Sequence, residues 1–123
     1  DYNRTDRYGN RRQLHVEKAL EVMDYHRYEL PQFQDETVVK DTYTCRILSR
    51  CKYFECASYQ IHGTAELPAY SDSFSSLVCV KGSGILYKQD EKMQFSAGDS
   101  FFVPCSGEKI RAEGDCELIL THI

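Results

Sequence analysis

Four histidines and six cysteines are the side chains in this sequence best suited to metal binding or nucleophilic chemistry. His15 and Glu17 stand two apart in a helical stretch, so they point to different faces of the helix and cannot grip one ion. A structural hydrogen bond or cap is the expected role of that pair. His62 lies beside Gly63 at an expected strand end, and none of His26, His62 and His122 has a carboxylate at useful spacing. His122, at the terminus, is expected to be exposed. No Cys-x-x-Cys pair exists, and the intervals separating Cys45, Cys51 and Cys56 do not match a zinc knuckle. Cys105 follows Pro104, with Lys109 as its one local positive neighbour, and a thiol needs a base or cation nearby to become reactive. It is read as a packing residue. Cys45, Cys79, Cys105 and Cys116 lie in or beside apolar runs, where cysteine behaves as a small hydrophobe. All six are expected to be free thiols in a reducing cytoplasm. The tyrosines, among them Tyr43, Tyr53, Tyr59, Tyr70 and Tyr87, suit either a sugar pocket or core edges and an interface.

The elements that must position these residues change period along the chain. Gly9-Asn10 marks a turn in a polar opening segment. Over residues 13–24, Val16, Ala19, Leu20 and Met23 recur at three- and four-residue spacing, which predicts a helix with one apolar stripe. A polar connection with Pro31 runs to about residue 40. Beyond it come eight short apolar or alternating segments: 42–48, 53–61, 74–80, 84–88, 92–95, 100–103, 109–112 and 116–122. Gly82-Ser83-Gly84, Gln89-Asp90-Glu91, Ala97-Gly98-Asp99, Ser106-Gly107 and Glu113-Gly114-Asp115 separate them as turns. Many short strands at regular spacing predict a sandwich or barrel. The expected organisation is therefore a connecting segment, 1–40, followed by a β-sandwich, 41–123.

Composition bounds the function. The 123 residues, 41% of them hydrophobic, suffice for one core and not for a second domain with its own cleft. A net charge of −4 repels phosphate backbones and argues against a nucleic-acid partner. Apolar runs such as Phe101-Phe102-Val103 are far too short to span a bilayer, so no membrane partner is expected. The chain opens on Asp1 rather than Met, which is read as a position inside a longer parent protein.

Two segments carry a family resemblance. Gly98-x5-Pro104-x-x-Gly107 resembles the second box of cupins, and Leu77–Leu86 resembles the strand entering the first box's glycine turn. The resemblance implies a cupin-like double-stranded β-helix, an all-β jelly-roll sandwich with one N-terminal helix. Cupin metal sites take histidines from both boxes, because neutral imidazoles bind borderline metals well. Here neither 69–76 nor 108–111 holds a His, so the sandwich is expected to be metal-free.

The opening Asp1-Tyr2-Asn3-Arg4 and the stretch Gly9–Asp24 are similar to short bacterial class I mannose-6-phosphate isomerases, as is the ending Gly114–Ile123. That family interconverts mannose 6-phosphate and fructose 6-phosphate on a zinc ion. The resemblance implies that the zinc ligands lie before residue 1, so no catalytic residue, metal ligand or cofactor is expected in this chain. Arg4 corresponds to a basic position near the substrate pocket, and a guanidinium fork suits a sugar phosphate. The reading that follows is a cytoplasmic C-terminal auxiliary domain, inactive alone. Its partners would be the catalytic domain of the same polypeptide and, through the parent enzyme, the sugar phosphate. A stand-alone metal-free cupin that binds a small carbohydrate or acts as a sensor is the rival. A truncated but active isomerase is a third reading, disfavoured by the missing ligand set.

Overall fold

The computed structural model describes residues 3–27 and 36–123. The chain divides into two units, Asp1–Pro31 and Gln32–Ile123.

In the first unit, Gly9 takes a positive φ of 82° and closes a small turn. The Asp6 carboxylate accepts the Tyr8 and Asn10 N–H groups at 2.8 and 2.9 Å, and these bonds hold its pKa below the usual carboxylate range. Thr5 and Arg11 face each other in an isolated bridge. Helix α1 then runs Val16–Val22, shorter than the predicted 13–24. His15 occupies its N-cap position but makes no side-chain capping bond, so the expected cap is absent. Without a capping acceptor the first turn has nothing to extend it toward Gln13. None of the helix is buried, and Val16, Leu20 and Met23 remain exposed.

The second unit is built from seven strands: β1 (Thr37–Val39), β2 (Tyr43–Arg50), β3 (Glu55–Leu67), β4 (Ser75–Lys88), β5 (Glu91–Ser96), β6 (Ser100–Val103) and β7 (Ile110–His122). All pairings are antiparallel, in the order β1-β2-β3-β7-β4-β5. β7 lines one edge of β4 over nearly its full length, while β6 and β5 share the other edge. β1 falls in the stretch expected to be a connection. Two expected turns are not turns: 82–84 lies inside β4 and 113–115 inside β7. Each of these strands absorbs two of the predicted segments. Gly63, Gly114 and Gly84 stand in one row across β3, β7 and β4.

Two-residue alternation fixes the interior. Ala57, Tyr59, Ile61, Ala65 and Leu67 of β3 are buried, as are Ile110, Ala112, Cys116, Leu118 and Leu120 of β7. β4 buries Leu77 and Cys79 and then Leu86, a change of phase produced by a bulge between Cys79 and Lys81. Ile61, Leu67, Leu77 and Leu118 are essentially inaccessible, each contributing roughly 1.5–3 kcal/mol of burial.

Candidate functional site

The two glycine boxes meet each other. Gly98 N–H donates to the Cys79 carbonyl at 2.8 Å, Cys79 N–H donates to the Asp99 carbonyl at 2.9 Å, and Ala97 N–H donates to the Gly82 carbonyl at 2.9 Å. The turn before β6 is thereby tied to the β4 bulge. Gly107, at φ 67°, donates its N–H to the Tyr70 carbonyl at 3.2 Å. The second box thus helps to set the loop that carries Tyr70.

Tyr70 belongs to a polar cluster on the inward face at one end of the barrel. Its ring stacks on His122, centroids 3.7 Å apart and planes 23° apart. His122 Nε2 lies 3.7 Å from Glu55 Oε1. Arg50 joins the same carboxylate through Nε and holds both Glu36 oxygens at 2.9 Å through Nη1. His122 is therefore not the exposed terminal residue expected from its position. Pairing of Glu55 with His122 in the β3–β7 ladder brings together groups 67 positions apart in the chain. Burial, then Glu55 and Cys45, push the Tyr70 phenol upward. Tyr59 moves the same way, from burial first and then from a hydrogen bond shared with the Cys45 thiol.

A cavity of about 390 Å³ opens beside this cluster. Tyr43, Cys45, Tyr59 and Leu67 line it, with the Glu66–Lys109 ion pair (3.0 Å) on its wall. The rings of Tyr43 and Tyr59 stand 6.1 Å apart at 34°. Of the tyrosines singled out in the sequence, Tyr43 and Tyr59 thus line one space, and Tyr70 is near enough to interact electrostatically with Tyr59. Tyr53 and Tyr87 go elsewhere, beside Lys52 and under the Arg111 guanidinium.

The remaining candidates are dispersed. His62 lies inside β3, not at a strand end, and pairs at 2.9 Å with Asp115 of β7, a carboxylate that sequence spacing could not reveal. His26 pairs with Asp24 at 2.6 Å in the first unit. Cys105 is exposed rather than packed, because the residues around Pro104 leave the ladder at the end of β6. Cys51 is exposed too, Cys79 and Cys116 are buried, and each of the six cysteines is a free thiol. Arg4 is exposed in the first unit, its carbonyl accepting the Arg12 N–H at 3.0 Å. Sequence reasoning missed Glu55 and Arg50. The available signal was parity, since Glu55 shares the odd-numbered inward face with Ala57, Tyr59 and Ile61.

The described residues do not fit a zinc ion. Nowhere among them do three His, Cys, Asp or Glu side chains come together as a metal-binding group. Nor is any of their helices long and apolar enough to cross a membrane.

An antiparallel seven-stranded sheet crossed by a row of glycines, with interlocked glycine boxes, has the pattern of a cupin. The family model for the mannose-6-phosphate isomerase cupin domain matches residues 44–123, and the chain belongs to that family. It is 29% identical over 123 residues to the putative mannose-6-phosphate isomerase YvyI of Bacillus subtilis, covering the whole chain and 38% of that relative. It is 28% identical to the probable isomerase GmuF of the same organism, again over 38% of the relative's length. The chain thus spans 38% of the length of the curated relatives it matches. The crystal structure of a Bacillus subtilis mannose 6-phosphate isomerase superposes with a TM-score of 0.81 at 29% identity, over 100% of this chain and 38% of that one. A nucleoside dehydratase shares the fold at a TM-score of 0.62 and 19% identity, covering 79% of this chain and 82% of its own.

Proposed function

We propose that the chain serves as the C-terminal auxiliary domain of a mannose-6-phosphate isomerase and does not catalyse the reaction alone. The observation that carries this reading is the match itself. The whole chain aligns to relatives of which it covers 38%, and its described residues offer no ligand set for the zinc ion of the parent enzyme. In the parent, this domain packs beside the catalytic domain, helps to shape its cleft and presents Arg4 to the sugar phosphate. The uncovered stripe Val16, Leu20 and Met23 supports the reading, because an apolar helix face stays soluble best when another surface covers it.

The test is a coupled isomerase assay on the purified chain with zinc and mannose 6-phosphate, together with the mass of the native polypeptide in the source cell. A flat progress curve and a native product more than twice the 14.3 kDa of this chain are expected. Turnover by the chain alone would overturn the proposal, and so would a native product of about this size.

A further inference from the structure

We propose that the cavity beside Tyr43 and Tyr59 is a binding site for a neutral monosaccharide in its ring form. This goes beyond the auxiliary-domain reading and does not depend on it.

At about 390 Å³ the cavity lies within the roughly 300–1,000 Å³ typical of small-ligand sites, and barrel mouths are common places for them. Its lining has the two components that a pyranose requires. One is a flat apolar surface for the C–H face of the ring. The tilted Tyr43–Tyr59 pair supplies it, and Val38, Leu67 and Pro68 extend it. The other is a set of hydroxyl partners. Glu66 accepts, Lys109 donates, and their 3.0 Å separation suits two adjacent ring hydroxyls. Tyr43, half-buried, offers the accessible ring, and the almost inaccessible Tyr59 backs it at 6.1 Å, so little side-chain freedom is lost when a ligand docks.

The same ion pair selects against charge. The Lys109 ammonium is already met by the Glu66 carboxylate, and the chain as a whole carries −4, so an anionic ligand finds no surplus positive charge here. A neutral sugar loses nothing on that account. The site should therefore prefer mannose or glucose to their 6-phosphates.

The experiment titrates the full chain with mannose, glucose and mannose 6-phosphate, followed by amide NMR shifts. Saturable shifts at Tyr43, Tyr59 and Lys109 are expected with mannose or glucose, at dissociation constants on the order of 1 mM. Removing the ring face with Tyr43→Ala should weaken binding roughly fivefold to tenfold. Tyr43→Leu keeps the apolar volume and covers the case in which the alanine variant unfolds. Glu66→Gln, on the exposed rim, should weaken binding and leave the fold intact. The proposal fails if no neutral sugar gives saturable shifts, if Tyr43→Leu and Glu66→Gln both bind as the parent chain does, or if mannose 6-phosphate binds more tightly than mannose. Isomerase activity in a longer polypeptide has no bearing on any of these outcomes, so this idea and the auxiliary-domain reading stand or fall separately.

Discussion

At Gly82 the chain has no room for a side chain. A Cβ there would overlap the Asp115 carbonyl oxygen and stand 2.8 Å from the Cys116 Cα, at a φ of 79° that side chains rarely adopt. Gly98 shares the positive φ, at 97°, but a Cβ there meets nothing within 4 Å. The two positions separate sterics from backbone strain. Gly82→Ala should cost about 3 kcal/mol, since the β7 backbone at Asp115 and Cys116 must move. Gly98→Ala should cost only about 1 kcal/mol of conformational strain. Urea unfolding of both variants measures the difference, and equal losses would show that the close approach at Gly82 is unimportant. Beside Gly82, burial pushes the Cys116 thiol up to about 11, with Cys79 and Asp115 adding to the shift, against an ordinary value of 9.0. The folded state therefore keeps a proton that the unfolded chain gives up first. Stability from this group is intact below pH 9 and is lost as pH rises from 9 to about 11. Denaturation midpoints should decline across that window, and Cys116→Ala should flatten the decline. Thiol reagents at neutral pH should reach the exposed Cys51 and Cys105 quickly and Cys79 and Cys116 only after unfolding.

At the scale of elements, the β4–β5 hairpin is closed by Gln89 and Asp90 between the paired residues Lys88 and Glu91. Gln89 alone of the two carries a positive φ, 52°, the requirement of a turn whose first central position favours glycine. Gln89→Gly should raise stability by roughly 0.5–1 kcal/mol, even though the exposed contact to Glu108 is lost. A lower thermal midpoint in this variant would contradict the turn assignment. This hairpin was legible in the sequence because polar turn residues separate two alternating runs. The continuity of β4 and β7 was not. A glycine between two apolar runs looks like a turn, and only the partners on both sides, such as Gly63, Gly114 and Gly84 in one row, keep the strand extended through it. The glycine boxes identified the fold, and neither box contains a histidine. They could not show that Tyr70 lies on His122, or that Tyr43 and Tyr59 face one cavity. Those neighbours are set by strand register over dozens of residues, and single-chain periodicity carries no register.

For the whole molecule, the distribution of the core decides what can fold alone. Every buried hydrophobic residue described lies between Ala57 and Leu120, inside the second unit. Helix α1 buries none, has seven residues and makes no side-chain capping bond, well short of the roughly 12–15 residues at which an isolated helix becomes marginally stable in water. A chain of residues 32–123 should therefore keep a β-type circular dichroism spectrum and a single cooperative urea transition. Its denaturant slope should stay close to that of the full chain, because the slope follows the surface exposed on unfolding and the first unit adds little. Leu20→Glu in the full chain should shift the transition by less than about 0.5 kcal/mol, as expected for an exposed position. A fragment that loses cooperativity, or a Leu20→Glu variant that is strongly destabilised, would mean that residues 1–31 complete the core. Retention of both transitions would instead leave the apolar stripe of α1 with no task in the stability of this chain.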